Sequence, residues 1–165
     1  QWCYTLQGHC TAAKPARTPI AIMPSQPTYF ERTKMNTLNA EIKAMLSIQL
    51  PIQATTSKDG VPDIGPKRTL RAYDDNTLIY NENTAGQTLQ NIRDGSKMAI
   101  AIIDREALDG YRFVGTPEVF SEGKPFEDAC AYAESKGMKP PKFAVLVHIE
   151  SIYSLRSGPD AGKKL

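Results

Sequence analysis

Residues 63–94 read DIGPKRTLRAYDDNTLIYNENTAGQTLQNIRD, and the rest of the chain is arranged around them. The pattern predicts a basic strand over residues 66–71, a turn at 74–76, a returning strand over 77–80 and a polar loop that enters a short helix. Amide groups at a helix start carry unsatisfied donors, and a neighbouring lysine or arginine adds full charge. The stretch therefore has the composition of an anion site.

Two segments of this stretch resemble the flavin-binding core of the pyridoxamine 5′-phosphate oxidase-like family of FMN-binding split barrels. They are P-K-R-T-L-R at residues 66–71 and Y-N-E-N-T-A-G-Q-T-L-Q-N-I at residues 80–92. The resemblance runs from Leu38 to the C-terminus and implies that FMN is the cofactor. It assigns the FMN phosphate to Lys67, Arg68, Thr69, Gln87 and Thr88, and it places Asn83 and Thr84 beside the flavin ring.

The chain departs from this family pattern at Gln87, where many members carry lysine or arginine. If the phosphate is bound here, its charge is expected to fall on Lys67 and Arg68. A plainer interpretation stays open, because a basic strand beside an Asx turn is often a solvated edge strand and a polar loop is often only a helix cap. The unbroken order of strand, turn, strand and helix favours the phosphate.

Composition sets the broad class. The chain has 165 residues, 41% of them hydrophobic and 23% charged, which indicates one soluble domain with a single core. The net charge of +2 comes from well-mixed signs, so no nucleic-acid face or membrane-binding helix is indicated. No apolar run is long enough to cross a bilayer. A cytoplasmic protein is expected.

Residues 1–34 have a different character. Pro15, Pro19, Pro24 and Pro27 prevent a persistent helix or central strand, and the segment lacks the basic start and apolar run of a secretion signal. It is interpreted as an N-terminal extension, either a leader or an added segment, that could drape on the surface. The FMN-binding domain is then expected to comprise residues 35–165.

Metal and triad chemistry are not favoured. Cys3, His9 and Cys10 lack a fourth ligand at a suitable spacing, and His148 stands alone in a strand pattern. A disulfide between Cys3 and Cys10 is the better alternative for that pair, and Cys130 lies in an apolar helical stripe that indicates packing. No side chain is assigned a catalytic role, because a flavin supplies its own redox chemistry.

The remaining elements follow from periodicity and turn residues. Helices are predicted over residues 37–49 and 126–136, strands over 52–56, 97–104, 111–122 and 143–155, and turns at 57–60 and 108–110. Gly115 and Pro117 in the long strand indicate a bulge or bend. About six strands with two or three helices, without β-α-β alternation, predict a mainly β protein with flanking helices: a small split β-barrel.

A small barrel fills its own interior, so a flavin must lie against its outer wall. The resemblance implies a homodimer with FMN at the subunit interface, and an isologous dimer would supply the missing wall twice. Tyr111 and Arg112 are the candidates for the partner's contribution, although an ordinary exposed aromatic and a surface charge are the plain alternative. The C-terminal S-G-P-D-A-G-K-K-L either frays or covers the flavin.

Two functions of different classes remain open at this point. One is an FMN-dependent oxidoreductase acting on a small molecule, and the other is a non-catalytic flavin carrier or electron-transfer module. A third, weaker interpretation is a pocket for haem or another flavin-like cofactor. The sequence does not identify the substrate, and the only further expectation is a small-molecule substrate or redox partner.

Overall fold

The computed structural model describes residues 37–165, so the predicted extension, with Cys3, His9 and Cys10, lies outside the described residues. The helices are α1 (Ala40–Ile48), α2 (Gln87–Arg93) and α3 (Lys124–Ser135). The strands are β1 (Ile52–Thr56), β2 (Pro62–Pro66), β3 (Arg71–Ala72), β4 (Thr77–Glu82), β5 (Met98–Asp104), β6 (Asp109–Phe120) and β7 (Phe143–Ser154). They form one curled sheet in the order β2-β1-β5-β6-β7-β4-β3, with every pair antiparallel.

The core lies on the concave side of this sheet. Strand positions that alternate in sequence bring Tyr80, Ile100 and Phe113 to one side, where each is completely buried. Strand β4 is buried on both faces, because α3 packs across its other side with Ala129 against Ile79. The predicted mainly β split barrel with flanking helices is confirmed.

The bend predicted in the long strand is present. The pairing of β6 with β7 shifts register between Val114 and Gly115, which is a β-bulge. A Cβ on Gly115 would lie 2.3 Å from the backbone oxygen of His148, so only glycine permits this approach. The bulge lets two strands of twelve residues each curl with the sheet.

The predicted basic strand over residues 66–71 is wrong. Strand β2 ends at Pro66, residues 67–70 form a turn closed by a 3.1 Å hydrogen bond from Leu70 N to Lys67 O, and β3 begins only at Arg71. The turn is fixed because Lys67 N–H donates to Pro51 O at 2.9 Å. The extra short strands explain why the sheet has seven strands rather than about six.

The predicted turn at residues 108–110 is displaced. Asp109 and Gly110 already pair with Asp104 and Ile103 in the ladder, and the chain reverses just before them, with Leu108 at φ +52°. Gly110 is therefore not a turn glycine. A Cβ at this position would lie 2.4 Å from the backbone oxygen of Ile102, so only the hydrogen atom of glycine fits between the paired strands.

The C-terminal tail does not fray. Ser154 N–H donates to Lys163 O and Leu165 N–H donates to Ile152 O, both at 2.9 Å, so the tail pairs with the end of β7. It occupies an edge that β4 leaves open, since the pairing of β4 with β7 ends at His148. Within residues 37–165, the helices are all too short or too polar to span a bilayer.

Candidate cofactor site

A cleft of about 210 Å³ lies between β2, the turn after it, the end of β4 and the start of α2. Four of the nine predicted cofactor residues line it: Lys67, Thr84, Gln87 and Thr88. Six further lining residues were not predicted, and three of them carry side-chain oxygen acceptors: Gln53, Asp63 and Glu82. One lysine against two carboxylates gives the lining of this cleft a net negative charge.

Lys67 is already paired inside the cleft. Its Nζ donates to Glu82 Oε2 at 2.8 Å, while Glu82 Oε1 accepts from the backbone N–H groups of Thr84 and Ala85 at 2.8 and 2.9 Å. Burial opposes ionisation of Glu82, but Lys67 and these two amides outweigh it and lower the pKa of the carboxyl. Glu82 is therefore a buried carboxylate with both of its oxygens hydrogen-bonded.

The residues at the start of α2 are also engaged. Thr88 Oγ1 donates to Asp63 Oδ2 at 2.6 Å, so its hydroxyl points at a carboxylate rather than into open space. Gln87 Nε2 donates to Asn91 Oδ1 at 2.7 Å, and Asn91 donates onward to Thr55. Because α2 has only seven residues, its dipole is small and side-chain charge must supply most of the attraction for an anion.

Gln53 Oε1 and the Tyr80 hydroxyl are buried beside the cleft without a well-formed hydrogen bond, although the two side chains lie close enough for Gln53 to act on Tyr80 as a hydrogen-bond partner. Gln53 is 3% exposed and lines the cleft, and Tyr80 lies beneath it with Lys67 Nζ 4.9 Å from its ring centroid. Burial, and then the charge of Glu82, raise the pKa of Tyr80, so its hydroxyl stays protonated. Gln53 and Tyr80 therefore satisfy each other only in part, and a ligand with O–H or N–H groups would complete their hydrogen bonding.

Arg68 and Thr69 line a different pocket. This basic pocket, of about 290 Å³, is formed by Arg68, Thr69, Tyr132, Lys136 and Met138. The Arg71 guanidinium stacks 3.7 Å from the centroid of the Tyr132 ring on α3. Thr69 Oγ1 is tied to the backbone of Asn81, donating to its carbonyl oxygen and accepting from its N–H.

The basic pocket was missed in the sequence because its parts are far apart in the chain. Arg68 belongs to the turn after β2, whereas Tyr132 and Lys136 belong to α3 and its C-terminal end. The only local signal was the spacing of Tyr132 and Lys136, which places them on one helix face. That spacing does not show which strand the helix covers.

The other predicted residues lie elsewhere. Asn83 is exposed in the loop after β4 and does not line the cleft. Tyr111 is buried and lines a cavity of about 400 Å³ beneath the C-terminal tail, and the Arg112 guanidinium lies 4.3 Å from the Tyr153 ring. Neither Tyr111 nor Arg112 lines the cleft of its own chain, and their assignment to a partner subunit stays a prediction.

This curled antiparallel sheet with its flanking helices has the fold of the FMN-binding split barrels. An FMN-binding protein from Syntrophomonas wolfei has the same fold at 16% identity, with a TM-score of 0.60 over 76% of this chain and 88% of its own. At that identity the likeness shows the fold alone.

The sequence pattern of the pyridoxamine 5′-phosphate oxidase family matches residues 38–156, and the chain belongs to this family. It is also similar to HupZ of Group A Streptococcus, with 48% identity and a TM-score of 0.69 over 75% of this chain and 98% of that one. An uncharacterised protein of Methanocaldococcus jannaschii is 34% identical over 131 residues, covering 76% of this chain and 86% of its own length.

Proposed function

We propose that this protein is an FMN-dependent oxidoreductase that acts on a small molecule, and that FMN binds at the cleft between β2 and α2. The observation that carries the proposal is a cleft whose wall holds a buried pair, Gln53 and Tyr80, with incomplete hydrogen bonding. Buried polar groups without well-formed hydrogen bonds are rare in folded proteins, so the position of this pair favours a ligand with O–H or N–H groups. FMN has such groups on its ribityl chain and its ring.

The chemistry of the donor and acceptor set fits FMN. Lys67 and Thr88 supply a cation and a hydroxyl for the phosphate once they release Glu82 and Asp63, while Gln53 offers an acceptor to ribityl hydroxyls. When bound, FMN would supply the hydride or electron transfer that no protein side chain supplies. The chain's own contribution is to orient the ligand and to exclude water from the Gln53 side of the cleft.

A second copy of the chain is part of this proposal. The cleft of about 210 Å³ is smaller than the roughly 300–1,000 Å³ of typical ligand pockets. The convex face of the sheet is apolar across β2, β1 and β5, with Ile64 72% exposed, Ile103 52% exposed and Ile52 40% exposed among half-buried alanines. A homodimer formed through this face would cover the isoleucines. Because Gln53 and Asp63 face the opposite side of β1 and β2, a partner element would have to reach around the β2 edge to add a second wall to each cleft.

The basic pocket favours a substrate that carries negative charge. Arg68 and Lys136 line it, the stacked Arg71 guanidinium lies next to it, and its lining includes no carboxylate. A guanidinium held against an aromatic ring is well placed to bind a carboxylate or phosphate group. We infer that the small-molecule substrate presents such a group beside the flavin.

The proposal is tested by adding FMN to purified protein and following its fluorescence and absorbance. Saturable binding of one FMN per chain supports the cofactor assignment, and absence of FMN binding contradicts it. Oxidation of NADH or NADPH by the FMN-loaded protein then separates an oxidoreductase from a non-catalytic flavin carrier. A carrier would bind FMN equally well but would not turn over either reductant.

A further inference from the structure

The carboxylate of Glu82, the last residue of β4, occupies the position beside the following loop that an external anion would be expected to take. Its Oε1 accepts from Thr84 N–H at 2.8 Å and Ala85 N–H at 2.9 Å, and its Oε2 accepts from Lys67 Nζ at 2.8 Å. Two successive backbone amides and one ammonium group are the donors that proteins use to bind phosphate. Here all three already surround a carboxylate of the chain itself.

The loop is shaped around this anion. Ala85 has φ +55°, and among residues 37–165 only one other non-glycine residue, Leu108, has a positive φ. The left-handed conformation is unfavourable for alanine, so the surrounding contacts must hold it. One contact that favours this conformation is the hydrogen bond from the Ala85 N–H to Glu82 Oε1.

A ligand is nevertheless expected in the same cleft. Gln53 and Lys67 both line it, and the buried Gln53 has no well-formed hydrogen bond to its Oε1 beyond the nearby Tyr80 hydroxyl. If the ligand carries a phosphate, that phosphate and Glu82 compete for the same ammonium and amide groups. They cannot share the position, because two anions at contact distance repel each other strongly in a site shielded from water.

We propose that Glu82 is an internal competitor for the phosphate position: its carboxylate fills the anion site of the ligand-free protein, and a phosphate-bearing ligand must displace it from Lys67. The inference rests on the proposed function where it names FMN as that ligand. Glu82 thereby sets the preference between FMN and riboflavin. These two ligands differ only in the phosphate, so only FMN competes with the carboxylate.

The test compares FMN and riboflavin affinities of the wild type and Glu82→Gln by fluorescence titration. Glutamine keeps the shape but removes the charge, so FMN is expected to bind about tenfold or more tightly while riboflavin changes by less than about threefold. Glu150→Gln is the matched control, because Glu150 makes an ion pair with Lys97 on the exposed surface. It should leave both affinities unchanged.

Two further measurements keep the inference testable if Glu82→Gln folds poorly or flavin does not bind. In the wild type, FMN should shift the amide NMR signals of Thr84 and Ala85 much more than riboflavin does. In Glu82→Gln, inorganic phosphate should raise the unfolding temperature more than it does in the wild type.

The outcomes separate the two proposals. An unchanged ratio of FMN to riboflavin affinity in Glu82→Gln, with both ligands bound, overturns the role of Glu82 and leaves the flavin function standing. If neither protein binds either flavin, the proposed function fails, and the response to inorganic phosphate alone decides whether Glu82 guards an anion site. Equal phosphate responses in both proteins would then reject it.

Discussion

Nζ of Lys67 lies 2.8 Å from Oε2 of Glu82, in an ion pair whose side chains are only 15% and 2% exposed. Salt screens a pair of this kind far less than a surface pair. Loss of one partner leaves a buried charge without compensation, which typically costs about 3–5 kcal/mol. The pair therefore links the stability of the fold to the anion chemistry of the cleft.

Acid should weaken the fold through Glu82. The pKa of Glu82 is lower in the folded protein than in the unfolded chain, where it has the ordinary glutamate value of about 4.3. The ionised Glu82 therefore stabilises the fold fully above that unfolded pKa, and this stabilisation is lost as the pH falls through the lower pKa of the folded protein. The groups facing Glu82 are Lys67, the protonated Tyr80 and, across the cleft, Asp63. Urea denaturation between pH 3 and 6 should show a shallower acid dependence in Glu82→Gln.

Glu150 is the control for this pH dependence. Its pKa is also lowered, first by Lys97 and then by Thr116, but the pair is exposed to solvent. High salt should remove the contribution of Glu150 to the pH dependence of stability and leave most of the contribution of Glu82. Equal salt sensitivity at both positions would show that Glu82 is hydrated rather than buried.

Lys67 and Arg68 should have separable effects, because they line different pockets. Removing Lys67 alone would leave the buried Glu82 carboxylate without its counter-ion. The effect of Lys67 on flavin affinity is therefore measured by comparing the double variant Lys67→Gln/Glu82→Gln with the single variant Glu82→Gln. The double variant should lose about 1.5–3 kcal/mol of FMN binding and little riboflavin binding, since only FMN carries the phosphate. Arg68→Gln should instead weaken the binding of anionic substrates and leave FMN binding unchanged. If the double variant bound FMN and riboflavin with equally reduced affinity, Lys67 would have a structural role and would not bind the phosphate.

Thr88→Ala should weaken FMN binding, but not through a lost bond to phosphate alone. The hydroxyl donates to Asp63 at 2.6 Å, so its removal leaves that carboxylate free to repel an incoming anion. Asp63→Asn should have the opposite effect and tighten FMN. Fluorescence titration with FMN checks both predictions. Tighter FMN binding in Thr88→Ala than in the wild type would contradict them.

Light scattering should report a dimer in solution. Ile52, Ala101, Arg112 and Tyr153 are aligned across four neighbouring strands, and all point away from the core. A charge in the middle of this row, as in Ala101→Glu, should give a folded monomer with weakened FMN binding. Val61→Glu, at an exposed position of the β1–β2 hairpin, should remain dimeric. A stable wild-type monomer that retains FMN tightly would refute the shared site.

Gly110→Ala should be strongly destabilising although the position looks like a turn in the sequence. The added Cβ would lie 2.4 Å from the Ile102 backbone oxygen, which cannot move without breaking the sheet. Overpacking of this kind typically costs about 1–3 kcal/mol. Gly65→Ala is the matched control, since nothing lies within 4 Å of its Cβ position. Chemical denaturation of both variants gives the comparison.

The sequence predicted elements well wherever local chemistry decides them. Gly60 at φ +80° closes the β1–β2 hairpin, Gly95 at φ +91° follows α2, and the apolar run of β5 lies inside the sheet. The bulge near Gly115 was also predicted, because glycine and proline weaken a regular strand and are typical of bulges and bends. Such features depend on backbone sterics within a few residues.

The sequence by itself determined the split-barrel fold, the family and the segment that forms the cleft. Only the tertiary structure decided how the polar side chains pair: Lys67 with Glu82, Thr88 with Asp63, and Arg68 in another pocket altogether. The partners lie 15 residues apart in the first pair and 25 in the second. Periodicity fixes which side of an element a residue faces, whereas a buried charge chooses its partner by distance and desolvation after the chain has closed.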